Sequence, residues 1–188
     1  ITEDSYKKLL TNCITRGHES VLEHEKVTVR IYNDIGSYKD LTRHRFASFS
    51  IESTRYCSYN KDKYGNEITF INPVYIENEE MYNTWKDSMQ NIEKNYIKMK
   101  ELGASTDMVR ELLPHSTAAE YTMTANIREW KHILELRTTS HVHPAIRQVL
   151  IPLLLYFKEE MPEIFDDVQY DTGFNKDYYA KLSIEDEV

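Results

Sequence analysis

Apolar positions recur along this chain with two different periods, and each change of period marks a new element. Between residues 4 and 15, Tyr6, Leu9, Leu10, Cys13 and Ile14 fall on one side of a helix, and Gly17 supplies its stop. From Lys26 to Tyr32 the period drops to two: Val27, Val29 and Ile31 alternate with polar residues, as in a half-buried strand. Asn33 to Ser37 reads as a turn, Lys39 to Arg45 as a short helix, and the Ser- and Thr-rich segment after it as a loop. Glu67 to Ile71 is a second strand candidate, set between the turn Lys63-Tyr64-Gly65-Asn66 and Asn72-Pro73. A long polar helix is expected over 79–102, ended by Gly103, and a short one from Thr106 to Leu113, stopped by Pro114. Residues 117–125 are rich in Thr and Ala and fit either period. Helix resumes near Ile127 and runs to about Arg137, and the last main helix spans roughly 144–160. The acidic stretch 166–188 reads as peripheral. With no repeat and no linker, the pattern predicts one α+β domain over 1–188, helix-rich, with a small and mostly antiparallel sheet.

Composition narrows the classes. A hydrophobic share of 40% with 29% charged residues describes a globular chain. The longest apolar run, from Val149 to Phe157, falls well short of the ~18–20 residues of a membrane span, so no membrane partner is expected. A net charge of −8 argues against binding a nucleic-acid polymer. Cys13 and Cys57 form neither a disulfide framework nor a zinc pattern, which fits a reducing cytoplasm. The chain opens on Ile1 rather than Met, so residues upstream are expected to be missing. All nine arginines lie within the first 147 residues, and localised cations in an acidic chain suit a small anionic ligand.

The chemistry concentrates in four segments. The first runs Arg43-His44-Arg45-Phe46-Ala47-Ser48-Phe49-Ser50-Ile51-Glu52-Ser53-Thr54-Arg55-Tyr56. Its arginines are planar forks matched to phosphate, and its hydroxyls and backbone N–H groups complete an anion site. A solvated charged surface is the competing reading. The second is His18-Glu19-Ser20-Val21-Leu22-Glu23-His24, which reads either as a helix start with Ser20 and Glu23 as a capping box or as part of a site. The third runs from Asn126 through Arg128, His132 and Arg137 to His141 and His143. Arg128 and His132 are four apart and share a helix face, though a surface ion pair of Arg128 with Glu129 is the plainer reading. A metal on His141 and His143 is the weaker alternative, and no metal is expected. The fourth is Met108-Val109-Arg110-Glu111-Leu112-Leu113-Pro114, which alone says only that a short helix ends. Neither a nucleophile elbow nor a phosphate-binding glycine loop is present.

In this order and spacing the four segments resemble the flavin-dependent thymidylate synthases (ThyX family) over most of residues 17–165. Arg-His-Arg, seven residues, then Ser-x-Arg is the diagnostic motif. The resemblance implies an enzyme that makes dTMP from dUMP. Methylenetetrahydrofolate would supply the carbon, FAD the hydride, and NADPH the reduction of the flavin. It also implies a homotetramer with active sites formed between subunits. By position, His18, Ser20, Glu23, Arg43, His44, Arg45, Ile51, Asn126, Arg128, His132 and His141 would face FAD. Asp40, Arg43, Glu52, Ser53, Thr54, Arg55, Arg110 and Arg137 would hold dUMP, with Arg137 against the uracil as the catalytic residue. Ile51 stands where the family usually has Glu or Gln, His143 where it has Gln, and His132 where Asn is common.

The implied chemistry is consistent with these residue types. Methylating uracil C5 needs electron density there, which loss of the N3 proton supplies, and an adjacent cation stabilises the resulting anion. Arg137 cannot itself act as the base, because a guanidinium does not give up its proton in a protein. A hydrogen-bonding role suits Ser53 better than a nucleophilic one, since no partner base stands at its spacing. Two other readings remain open from sequence: a flavin or nucleotide binder without catalysis, and a metal-dependent hydrolase using the histidines.

Overall fold

The computed structural model of the chain describes residues 2–53 and 67–183. Its elements, in order, are α1 (Glu3–Thr15), β1 (Lys26–Asp34), α2 (Ile35–Leu41), β2 (Ala47–Ile51), α3 (Glu79–Glu101), α4 (Thr106–Val109), β3 (Ala118–Asn126), α5 (Ile127–Arg137), α6 (Pro144–Glu160) and α7 (Pro162–Phe165). Short 3-10 turns cover Glu19–Glu23, Arg110–Leu112 and Lys176–Tyr178. The three strands form one small antiparallel sheet with β3 in the centre, in the order β1-β3-β2, so the fold class is α+β and helix-rich.

Helix starts follow the local chemistry of short polar side chains. Asp34 accepts from the Ser37 backbone N–H at 2.6 Å and starts α2, and Asn78 accepts from Met81 N–H at 2.9 Å and starts α3. The acidic Glu79 and Glu80 then lie in the first turn of α3 and Lys98 and Lys100 in its last, each complementing the helix dipole. Gly103 follows with a φ of 89°, a conformation that glycine adopts without strain. The expected bounds of α1, α3, α5 and α6 agree with the structure to within a residue or two.

Other expectations differ from the structure for identifiable reasons. The helix expected over Lys39 to Arg45 starts earlier, at Ile35, because Asp34 caps it. The loop expected after it holds β2, where Ala47, Phe49 and Ile51 alternate with more exposed Ser48 and Ser50. Residues 117–125 resolve into the central strand: Ala119, Tyr121, Met123 and Ala125 are all buried at alternate positions. Glu67 to Ile71 contributes only an antiparallel bridge between Phe70 and Thr117, and Pro73 follows closely. The Ser20–Glu23 capping box does not form; His18 precedes the 3-10 turn and makes no side-chain cap. The expected turn at Lys63–Asn66 lies outside the described residues.

By contacts the chain groups into two units, interleaved in sequence. The first comprises Ile1–Val29, His44–Ser48 and Met123–Val188. Its core is built on α5 and α6: Trp130, Ile133, Leu134, Leu150, Ile151 and Leu154 are fully buried, each stabilising the fold by roughly 1.5–3 kcal/mol relative to exposure. The Trp130 indole N–H donates to the Val27 carbonyl at 3.0 Å and ties α5 to β1. Within α6, Pro152 has no N–H to give the Gln148 carbonyl one turn back, and Ala180 N–H takes that acceptor at 2.9 Å. The stretch from 166 onward is therefore not simply peripheral: Val168 and Phe174 are buried, and the Arg147 guanidinium pairs with Asp171 and lies 4.5 Å from the Phe174 ring centroid. The second unit comprises Arg30–Arg43 and Phe49–Thr122, with a small cluster of Ile68, Tyr96 and Val109 at its heart.

Candidate functional site

Helix α5 gathers the site of the first unit. Asn126 caps it, its Oδ1 accepting from the Glu129 backbone N–H at 2.8 Å, which leaves its amide N–H groups available to a ligand. The helix then presents Arg128 and His132 on one face, as their spacing predicts. Both line a cavity of about 430 Å³, together with Asn126 and, from the preceding 3-10 turn, Glu23. Four of the positions expected to face a flavin thus share one cavity. The remaining wall, which the sequence did not assign to the flavin, is Glu19, Phe46, Glu129, Lys131 and Glu135. Phe46 is 83% exposed, an unusual position for a phenylalanine and a usable apolar wall for a planar ligand.

Arg128 is ion-paired, though not to the neighbour expected. Its guanidinium holds Glu23 through Nη1 and approaches Glu19 at 3.6 Å through Nε. Buried Lys131, on the same helix, pairs with Asp167 at 2.9 Å.

His44 lies beneath this surface, 7% exposed, between two arginines that are both exposed. Arg137 Nε–H donates to its Nε2 at 2.9 Å, and the Glu129 carboxylate stands 3.6 Å from its Nδ1. The His132 ring crosses it edge-on, with centroids 6.1 Å apart. Burial, then the charge of Arg137, then His132, push the His44 pKa down to about 4, so its imidazole is neutral at pH 7. Burial also raises the Glu129 carboxyl above its ordinary range, with His132 opposing. His44 and Arg137, far apart in sequence, are thus in direct contact. Glu129 could have been found from its spacing to His132, but Asn126-x-x-Glu129 reads more simply as a helix start.

The other expected residues are distributed as follows. His18, Ser20 and His141 are exposed and belong to the first unit, as does Arg45. His143 caps α6, its Nδ1 accepting from Ala145 N–H at 3.3 Å, which commits that nitrogen to the backbone. Asp40, Arg43, Ile51, Glu52, Ser53 and Arg110 belong to the second unit, where Arg110 is half-buried and Ile51 and Glu52 line an open cavity of about 560 Å³ on the sheet. Thr54 and Arg55 lie outside the described residues. Among the described residues, no group of three His, Cys, Asp or Glu side chains is gathered for a metal ion.

A helix-rich α+β fold carrying an arginine–histidine centre beside a polar cavity defines the class. The chain belongs to the thymidylate synthase complementing protein family, whose sequence model matches residues 1–163. It is similar to proteins named flavin-dependent thymidylate synthase. One, from Pyrococcus abyssi, is 33% identical over 157 residues, covering 82% of this chain and 63% of that protein. Another, from Pyrococcus furiosus, is 31% identical over 172 residues, covering 90% and 67%. A third, from Thermococcus kodakarensis, is 36% identical over 141 residues, covering 73% and 56%. The chain thus spans 63%, 67% and 56% of the lengths of these relatives. Among the described residues, no helix is long and apolar enough to cross a membrane.

Proposed function

We propose that this chain is a flavin-dependent thymidylate synthase, converting dUMP to dTMP with methylenetetrahydrofolate as carbon donor, FAD as hydride carrier and NADPH as reductant. In this reading residues 1–188 act as one catalytic domain in a cytoplasmic homotetramer, with dUMP and FAD held where subunits meet. The observation that carries it is the contact of Arg137 with His44, in a family member whose relatives bear that name.

The residues present fit a flavin nucleotide by their donor chemistry. Asn126 and His132 offer amide and imidazole groups in one cavity, Phe46 an apolar wall, and Arg128, with the exposed Arg45 of the same unit, the guanidiniums a pyrophosphate needs. When bound, the flavin supplies the hydride, a redox step that belongs to the cofactor. The chain's own part is electrostatic. The Arg137 guanidinium stabilises negative charge on the uracil as the N3 proton leaves. A neutral His44 holds that guanidinium without adding charge of its own. Ser53, Arg55 and Arg110 suit the phosphate end of dUMP, because guanidinium and hydroxyl donors match phosphate oxygens.

Anaerobic incubation with FAD, NADPH, dUMP and methylenetetrahydrofolate, assayed for dTMP and for flavin absorbance, tests this reading. Product that requires both FAD and NADPH supports it. Bound and reduced flavin with no dTMP would replace it with a non-catalytic binder, and a chain that takes up no flavin would end it.

A further inference from the structure

Glu129 is buried, 9% exposed, and has no part in the chemistry above. Its backbone position at the third residue of α5 would suit a capping-box side chain turned back toward Asn126. Instead its Oε1 stands 3.6 Å from Nδ1 of His44. On the opposite edge of that ring, Arg137 Nε–H donates to Nε2 at 2.9 Å. An arginine can only donate, so Nε2 must offer its lone pair. A neutral imidazole carries one proton, which must therefore sit on Nδ1, the nitrogen that faces Glu129. The separation exceeds a direct hydrogen bond, so the link is the attraction of a carboxylate for an N–H dipole across a short buried gap.

We propose that Glu129 is a positioning residue for Arg137, acting through His44: by holding the imidazole proton on Nδ1, it keeps Nε2 as the acceptor that fixes the Arg137 guanidinium in one orientation. The alternative tautomer would set the Nε2 hydrogen against the Nε hydrogen of Arg137, two donors facing each other. Nε–H of Arg137 would then lose its acceptor on the ring. The role in thymidylate formation rests on the function proposed above, whereas the link from Glu129 to Arg137 stands on the geometry alone.

Nitrogen-15 NMR of the full chain, labelled at histidine and arginine and recorded at pH 7, tests the link without any cofactor. The wild-type His44 ring should give the signature of a neutral imidazole protonated on Nδ1, with the Arg137 Nε–H protected from exchange. Protonation on Nε2 in the wild type would overturn the proposal whatever the variants do. Glu129→Leu should mix the two tautomers and speed Arg137 Nε–H exchange about tenfold or more, the scale of one lost hydrogen bond. Glu129→Gln, whose amide oxygen still accepts, should restore both signals. Unchanged tautomer and exchange in Glu129→Leu would reduce Glu129 to a helix-start residue. In the dTMP assay the Leu variant should lose kcat about tenfold with little change in KM for dUMP, and Gln should recover it. A wild-type chain that made no dTMP would remove the function but leave the NMR result standing, so the two failures are distinguishable.

Discussion

The two ends of α5 treat an arginine in opposite ways. At its start, Arg128 lies half-exposed against the carboxylates of Glu19 and Glu23, which offset its charge. At its end, Arg137 is bonded to an imidazole that burial and neighbouring charge keep neutral. A carboxylate partner both orients a guanidinium and spends part of its field. A neutral imidazole orients it and itself subtracts nothing from that field. The difference separates an arginine that shapes a cavity wall from one suited to act on an anion.

Removing the second arginine should have the largest effect. Arg137→Ala is expected to lower dTMP formation by roughly 10²–10³, the scale for losing one preorganised charge donor, with the circular dichroism spectrum unchanged. An undiminished rate would erase the distinction between the two ends.

Next comes the neutrality of His44. Its folded pKa is about 4, against 6.5 for an unperturbed histidine. Between those values the unfolded chain binds a proton that the folded chain does not. Stability contributed by the neutral ring is therefore complete above about pH 6.5 and falls as the pH drops toward 4, by at most about 3 kcal/mol. Urea unfolding midpoints should decline across that window in the wild type and less steeply in His44→Gln. Parallel curves would show that the ring titrates normally.

Asn126→Ala should cost about 1 kcal/mol of stability by removing the helix cap, read as a lower urea midpoint, and should weaken flavin binding as well if the amide also meets the ligand. A loss of binding with no loss of stability would mean that the cap contributes nothing.

The smallest effect belongs to the first arginine. Glu23→Gln should shift stability by less than about 1 kcal/mol, because both partners are close to half exposed. By removing one of the two carboxylates that hold Arg128, Glu19 remaining, it should tighten flavin binding about two-fold, measured by fluorescence quenching. A destabilisation above about 2 kcal/mol would mean that the start of α5 is held as firmly as its end.

What the sequence disclosed depended on how regular the local geometry is. Arg128 and His132 could be placed on one face because helical spacing is fixed, and the structure puts both on the same cavity. β2 was missed although Ala47, Phe49 and Ile51 carry a strand period, because the serines between them read as loop. β3 stayed ambiguous because Thr and Ala fit either period until the sheet buries every second residue. Long-range contacts had no local signal: no spacing announces that Arg137 will find His44, or that Lys131 will be buried against Asp167. The family pattern named His44 and Arg137 as site residues, and the structure brings the two into contact.

One substitution of ring for N–H has consequences for anyone who would shorten this chain. Because Pro152 leaves the Gln148 carbonyl without its usual donor, α6 has an open socket and Ala180 is its plug. Trimming the chain ahead of residue 180 would leave that socket exposed along the side of the helix. Fusions and tags are better attached beyond residue 180, and a shortened chain would be better served by Pro152→Ala, which lets the helix close the socket from within.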